Sequence, residues 1–386
     1  MSFDLVLFAN KLMKFFDLYP SKVDNFSDGT GISLDRLQEL KSAKSSPSGD
    51  EILTLADYFK CDYNYFLSAE ENSIIDTVDL LFRKYNTSFT LEDKWIIQEF
   101  LFLCECQFFL RNELHYETLP HFEYQSTDND YRNQGKEAAA QLLKFLGYRE
   151  NALKINIFED LRKLGYHIFR RKLKQNTISG VYIYHKIIGH CILVNYDDDI
   201  YRQRFTVAHE VGHAILDGSQ FNISTITNKG KRSDDQLAES RANSFAGAFL
   251  VPETFLKKIP DANTWNNDKI IDYSKKMAVN PITLAIGLFE SKLISEEDKE
   301  KYANIKLKKD EKVDSELSNS LSEKDKKRYR FLLDKGLSKD YVELCFKAYR
   351  SNIISQGRLS EILLCNTHAE LVEFSGFFNE SLNYDN

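Results

Sequence analysis

Apolar residues recur at three- and four-residue steps through most of the chain, and the breaks in that rhythm divide it into units. Phe8 to Phe16 reads as a first amphipathic helix. Ser21 is a candidate cap for a second, running through Phe26, and Gly29-Thr30-Gly31 reads as a turn. Ser33 caps a third helix from Leu34 to about Ser42, and Pro47-Ser48 precedes a fourth from Ile52 to Phe59. Short helices joined by a Gly-containing turn outline a helix-turn-helix unit. Residues 74 to about 115 read as two aromatic-rich helices of a packed layer, with Ile75, Val78, Leu81 and Phe82 in one and Trp95, Phe100, Leu103 and Phe109 in the other. Tyr116 to Gln134 turns polar and reads as a loop or boundary.

A new unit starts near Gly135. Lys136 to Leu146 is helical and ends at Gly147; Ile157 to Leu164 is a second helix, capped by Asn156 and closed by Gly165. Tyr166 to Arg170 is a strand candidate, and Gly180 to Tyr184 with Cys191 to Asn195 reads as a β-hairpin rich in β-branched residues. Arg204 to Gly218 then returns to helical spacing, with Phe205, Ala208, Val211 and Ile215 on one stripe and Asp217-Gly218 as the stop. Further helices follow over Gln236 to Phe249, Lys269 to Met277 and Pro281 to Ser291. Glu296 to Lys327 is dense in charge and reads as a solvated helix or linker. Residues 328–386 are helical again, with Leu332, Tyr341, Leu344, Ala348 and Tyr349 as core candidates and Gly357-Arg358-Leu359 opening a further helix. The fold class expected is α+β and predominantly helical: a helix-turn-helix N-terminal domain, a small core with a short β-sheet, and a helical C-terminal region.

Composition changes little in that picture. The 386 residues are 42% hydrophobic and 28% charged, ordinary for a globular chain of two to four domains. A net charge of −7 excludes a global basic field for nucleic acid or membrane, so such contacts must be local. Met1-Ser2-Phe3-Asp4 lacks a basic n-region, and the most apolar run, Phe100 to Leu110, is too short to cross a bilayer. The six cysteines (Cys61, Cys104, Cys106, Cys191, Cys345, Cys365) form no C-x-x-C pair and read as buried thiols. A cytoplasmic protein without membrane contact is expected.

The chemistry is concentrated in His209-Glu210-Val211-Gly212-His213. Four residues make about one helical turn, so the two imidazoles share a face and can hold one metal ion. Glu210 is rotated by about 100° and flanks that ion, where a base can deprotonate water. A catalytic zinc site takes three protein ligands, so a third should lie downstream. Glu239, Ala242, Asn243 and Ala246 share one face of the Gln236–Phe249 helix. Its small residues allow close packing on the first helix and bring Glu239 to the ion, with Asn243 one turn on to steady a ligand. Zinc is the expected ion; manganese or iron also suits two histidines and a carboxylate.

Two resemblances sharpen this reading. Gly31-Ile32-Ser33, Lys44, Pro47-Ser48, Ile52 to Phe59 and Asp62 to Leu67 resemble the XRE-type helix-turn-helix of phage-repressor-like proteins. That resemblance implies that the Ser33–Ser42 helix would enter a major groove, with Ser33, Arg36, Lys41 and Lys44 as candidate DNA contacts. Ala43 stands where that family usually has Gly, and residues 1–70 hold seven basic against eleven acidic side chains, a thin footprint for DNA. Arg204 to His213, with Glu239 to Ala246 and Phe249 to Pro252, resembles the ImmA/IrrE zinc metallopeptidases. The resemblance implies a zincin-like core in which His209, His213 and Glu239 hold the metal and Glu210 is the general base. Arg241 replaces a commonly acidic residue, a departure that should leave the metal site intact.

The domains expected are 1–70 (helix-turn-helix), 71–134 (helical connection), 135–300 (peptidase), 301–327 (charged linker) and 328–386 (helical). The implied function is cleavage of a partner transcriptional repressor in a stress or mobile-element response. A DNA-binding regulator with a sensory or structural metal site, or an antitoxin-like partner-binding protein, is the alternative. Expected partners are the protein substrate, DNA through residues 1–70, and a second copy as a homodimer.

Overall fold

The computed structural model describes residues 3–20, 25–68, 75, 78, 90–116, 122–126, 128–149, 156–174, 178–218, 223–227, 233–317 and 321–382. The N-terminal unit comprises α1 (Leu5–Leu18), α2 (Phe26–Thr30), α3 (Leu34–Lys41), α4 (Gly49–Phe59) and α5 (Asn64–Leu67). Their starts follow from side-chain caps: Asp4 accepts from the Leu7 N–H, Ser33 from the Arg36 N–H, and Ser48 with Glu51 forms a reciprocal box. Aromatic rings fill the core, Phe15 stacking on Phe59 at 4.3 Å. Gly29 and Thr30 close α2 rather than forming a separate turn, and left-handed Gly31 caps it. The expected cap Ser21 lies outside the described residues, as do Leu81 and Phe82. Ala43 adopts φ 53°, so the turn after α3 forms without glycine.

Next come α6 (Leu91–Glu113), α7 (Tyr131–Phe145), α8 (Ile157–Lys163), β1 (His167–Arg171), β2 (Ile178–His185), β3 (Gly189–Asn195), α9 (Ile200–Leu216), β4 (Ile223–Thr227) and α10 (Ser233–Leu250). The sheet runs β1-β3-β2-β4, with β1 parallel to β3 and the other pairs antiparallel. The hairpin stands as read, with Val181 opposite Leu193. No strand was expected between 218 and 236, yet the β-branched Ile-Ser-Thr-Ile-Thr run of β4 pairs with β2. Gly135 is no boundary: Asp130 accepts from the Arg132 and Asn133 N–H groups and starts α7 five residues before the expected Lys136.

The two inner strands, β2 and β3, are covered on both faces, which is why they are largely apolar. Ile168, Tyr182, Ile192 and Val194 face the core of α7 to α10. Phe169, Val181, Ile183 and Leu193 face α6 together with α15 (Glu323–Lys335), α16 (Lys339–Arg350), α17 (Gln356–Ile362) and α18 (His368–Phe378), once α11 (Glu253–Leu256), α12 (Asn267–Met277), α13 (Pro281–Glu290) and α14 (Glu296–Ala303) have been traversed. The C-terminal helices thus share one core with α6 and the sheet instead of forming a separate domain. Leu332, Tyr341, Leu344, Ala348 and Tyr349 are buried as expected, whereas Phe109 is exposed. All six cysteines are buried and free. Among the described residues no helix is long and apolar enough to cross a membrane.

The charged stretch expected as a solvated linker departs from that reading at Asp314 and Glu316. These two carboxylates reach α8 and β1, where Glu316 meets Arg162 of α8 at 2.5 Å and Arg170 of β1 at 2.7 Å, and Asp314 meets Arg170 at 2.6 Å. Burial pushes the Glu316 carboxyl pKa up, but the two guanidinium groups outweigh it and hold it at about 2. A carboxyl depressed in this way stabilises the fold fully above its unfolded value, and that stability is lost as pH falls towards 2. Removing one partner leaves a buried charge uncompensated, so Glu316→Ala should cost about 3 kcal/mol in urea unfolding at pH 7. The difference from wild type should shrink below about pH 4; an unchanged midpoint at pH 7 would contradict the assignment.

Candidate metal centre

Helix α9 begins where Asp199 accepts from the Tyr201 and Arg202 N–H groups, and it lies between the sheet and α10. Gly212 allows the closest approach to α10: a Cβ there would lie 3.1 Å from the Phe245 ring and 3.3 Å from the Ala242 backbone. With Ala238, Ala242 and Ala246 buried on the facing side, α10 comes near enough to deliver Glu239. The small-residue face read from the sequence is the packing face.

The structure brings His209, His213 and Glu239 together, with one ligand atom from each lying within 4.8 Å of the others. The two Nε2 atoms are 3.0 Å apart. Glu239 places Oε2 3.4 Å from His209 Nε2 and Oε1 3.3 Å from His213 Nε2. The opposite ring nitrogens are committed. His209 Nδ1 donates to Asn243 Oδ1 at 3.0 Å and His213 Nδ1 to Asp217 Oδ2 at 2.6 Å. With a proton on each Nδ1, both Nε2 lone pairs point at each other and at a carboxylate. Such an arrangement of donors calls for a cation at its centre, and the set of two nitrogens and an oxygen fits a divalent transition metal.

The electrostatics agree. The same site attracts a proton in competition with a metal: burial works against charge on His213, but Asp217 and Glu239 outweigh it and raise its pKa to about 9, so an ion binding at Nε2 would displace a proton. Burial also opposes ionisation of Glu239, yet the two imidazoles hold it well below the usual carboxylate range. Burial pushes His209 down. The pocket is thus rich in negative charge and electron pairs.

Glu210 is fully buried beside the cluster. The backbone of β2 passes over it at Gly180, where a Cβ would overlap Thr206 Cγ2 and lie 3.1 Å from Glu210 Oε1. Gly180→Ala should therefore displace the Glu210 carboxylate. Its expected signature is at least about a tenfold loss of kcat with metal content kept, measured by turnover beside elemental analysis; equal kcat would contradict it.

Asn243, expected to steady one of the ligands, hydrogen-bonds His209. Asp217 was read only as a helix stop, although its position four residues after His213 puts it on the same face. Arg241 is more than a tolerated departure: its guanidinium holds Asp217 Oδ1, donates to Gln134 Oε1 at 3.1 Å and stacks over Tyr131. A chain from Arg241 through Asp217 to His213 thus orients the second imidazole.

The candidate DNA contacts lie elsewhere, in the N-terminal unit. Ser33 spends its hydroxyl on capping α3. Arg36 is committed to Glu51 by two hydrogen bonds of 2.7 and 3.0 Å and to Glu39 at 2.9 Å. Lys41 lies over the Phe16 ring at 4.9 Å, and Lys44 is exposed. Neither hairpin strand is a sheet edge, because β3 lies between β1 and β2 and β2 lies between β3 and β4. The strand addition that an isolated hairpin would offer is therefore not available along its length.

Residues 161–270 match the family model described as the IrrE N-terminal-like domain. That span runs from within α8 through the sheet, α9 and α10 into α12. Among curated proteins, the radiation response metalloprotease IrrE of Deinococcus radiodurans is 33% identical over 101 residues, covering 26% of this chain and 30% of that protein. The chain therefore matches less than a third of that relative's length. Together with the clustered ligand atoms, these matches support a metallopeptidase-type domain of the ImmA/IrrE kind over residues 161–270.

Proposed function

We propose that this chain is a metal-dependent peptidase, zinc being the expected ion, that cleaves a partner transcriptional repressor. The observation that carries the peptidase reading is the convergence of two imidazole nitrogens with fixed tautomers and one carboxylate beside a buried glutamate. His209, His213 and Glu239 would hold the ion. A divalent ion in such a site supplies Lewis acidity and lowers the pKa of water to roughly 7.

The chain's own residues do the rest. Glu210 accepts the proton of the attacking water at a carboxylate oxygen and passes it to the nitrogen of the departing amine. Its burial keeps solvent from competing for that proton, and the passage of β2 over it fixes the carboxylate. Asn243 and Asp217 orient the imidazoles. A cleft of about 1400 Å³, lined by His209, Glu239 and Asn243, opens along α10 to receive a polypeptide.

The family resemblance supports a repressor as the substrate, and the relative's role in radiation response supports a stress signal. In this reading the N-terminal unit serves chiefly for partner contact, because Arg36 is internally paired; DNA contact would fall to Lys41 and Lys44. Co-expression with a candidate transcriptional repressor tests the proposal. Loss of the intact repressor with wild type but not with Glu210→Gln supports it, and equal loss with both sinks it.

A further inference from the structure

The cleft over the metal centre also carries information about what it takes, on the reading that this centre is a peptidase. Its volume of about 1400 Å³ exceeds the roughly 300–1,000 Å³ typical of small-molecule pockets. The lining follows α10 from Glu239 to Val251, a rise of about 18 Å, or the length of about five extended residues. On one side α13 presents Ile282 and Ile286, 49% and 44% exposed although they face this cleft. They are one helical turn apart and form an apolar wall.

Elsewhere the lining is mostly neutral, and its charged groups are mainly basic. Arg132, Lys136 and Lys144 lie on α7, Arg149 just past its end, and Arg202 on α9. Three carboxylates line the same space: Glu239, Glu253 and Glu290. Glu239 belongs to the metal cluster, Glu253 is paired with Lys257, and Glu290 is paired with Lys136 at 2.9 Å. Arg202 is held by Asp198 at 3.2 Å. Arg132, Lys144 and Arg149 have no ion-pair partner among the described residues. In a chain of net charge −7 the cleft is a local inversion of sign, and a bound divalent ion would add to it. Low-dielectric walls around one sign of charge focus that field on an incoming chain.

We infer that the cleft selects an extended, acidic polypeptide segment that also carries apolar side chains, the carboxylates meeting Arg132, Lys144 and Arg149 and the apolar groups meeting Ile282 and Ile286. Charge complementarity of this kind acts on choice of partner more than on total affinity.

Two fluorescein-labelled peptides test this, one of three repeats of Leu-Glu-Ser-Glu and one of three repeats of Leu-Lys-Ser-Lys, titrated by anisotropy against full-length Glu210→Gln protein. The acidic peptide should bind at least about tenfold tighter, and added salt should erode that difference. A triple variant, Arg132→Glu with Lys144→Glu and Arg149→Glu, should abolish the preference. Equal affinities, or a preference that the triple variant keeps, would overturn the inference. If the triple variant does not fold, the salt titration decides, and a salt-independent preference counts against it. Cleavage of both peptides at equal rates by wild type would overturn the charge selection while leaving the peptidase reading intact. Charge-selective binding without cleavage by metal-loaded wild type would support the selection and remove the peptidase reading.

Discussion

Glu210→Gln should lower kcat by about a thousandfold or more, the upper part of the range for removing a general base, with one metal ion per chain retained. The amide keeps the size of the side chain and so its fit beneath β2, but at neutral pH it cannot accept the proton that the attacking water must lose. Because Glu210 flanks the three ligand atoms rather than joining them, metal content should not change. Turnover of a co-purified or co-expressed substrate, measured beside elemental analysis, checks both halves. A variant that keeps its metal and its rate would show that another group is the base.

The second large effect is expected at Asp217. Its two oxygens join His213 Nδ1 to the Arg241 guanidinium in a buried setting. Asp217→Ala removes the acceptor that fixes the His213 tautomer, and partners of this kind are worth about ten- to a hundredfold in metal affinity. It also leaves the half-buried Arg241 charge without its partner. Asp217→Asn retains an acceptor for the imidazole without the charge, so it should recover part of the metal affinity but little of the stability lost through Arg241. A purely structural role would give the opposite pattern, with affinity tracking stability in both variants. Competition with a chromophoric chelator, beside thermal unfolding, separates the two.

What was legible in the chain was local. The one-turn spacing of His209 and His213 and the small-residue face around Glu239 are periodicities within single helices, and the structure brings those residues together. Caps were equally plain: Ser33 and Asn156 each accept from a backbone N–H at the start of the helix they were expected to cap. Asp217 was legible too, four residues after a candidate ligand, but its place at a helix end offered a competing explanation.

The misreadings concern partners remote in sequence. Arg170 and Glu316 are 146 positions apart, so nothing local says that a charge-dense stretch will bury its carboxylates. The run Phe100 to Cys104 in α6 is apolar at every position, which signals burial on several sides without saying by what; the C-terminal helices supply the cover. At Arg36 a basic residue on a helix-turn-helix outline suggested a groove contact, and only the folded chain shows Glu51 and Glu39 beside it.

The central claim is that His209, His213 and Glu239 form one metal site. Elemental analysis of the purified full-length protein, beside Glu239→Ala and His213→Ala, tests it most directly. The account predicts one divalent ion per chain in wild type, zinc for preference, lost from both variants while they remain folded by circular dichroism. No metal after reconstitution of wild type, or an ion retained undiminished in both variants, would contradict it.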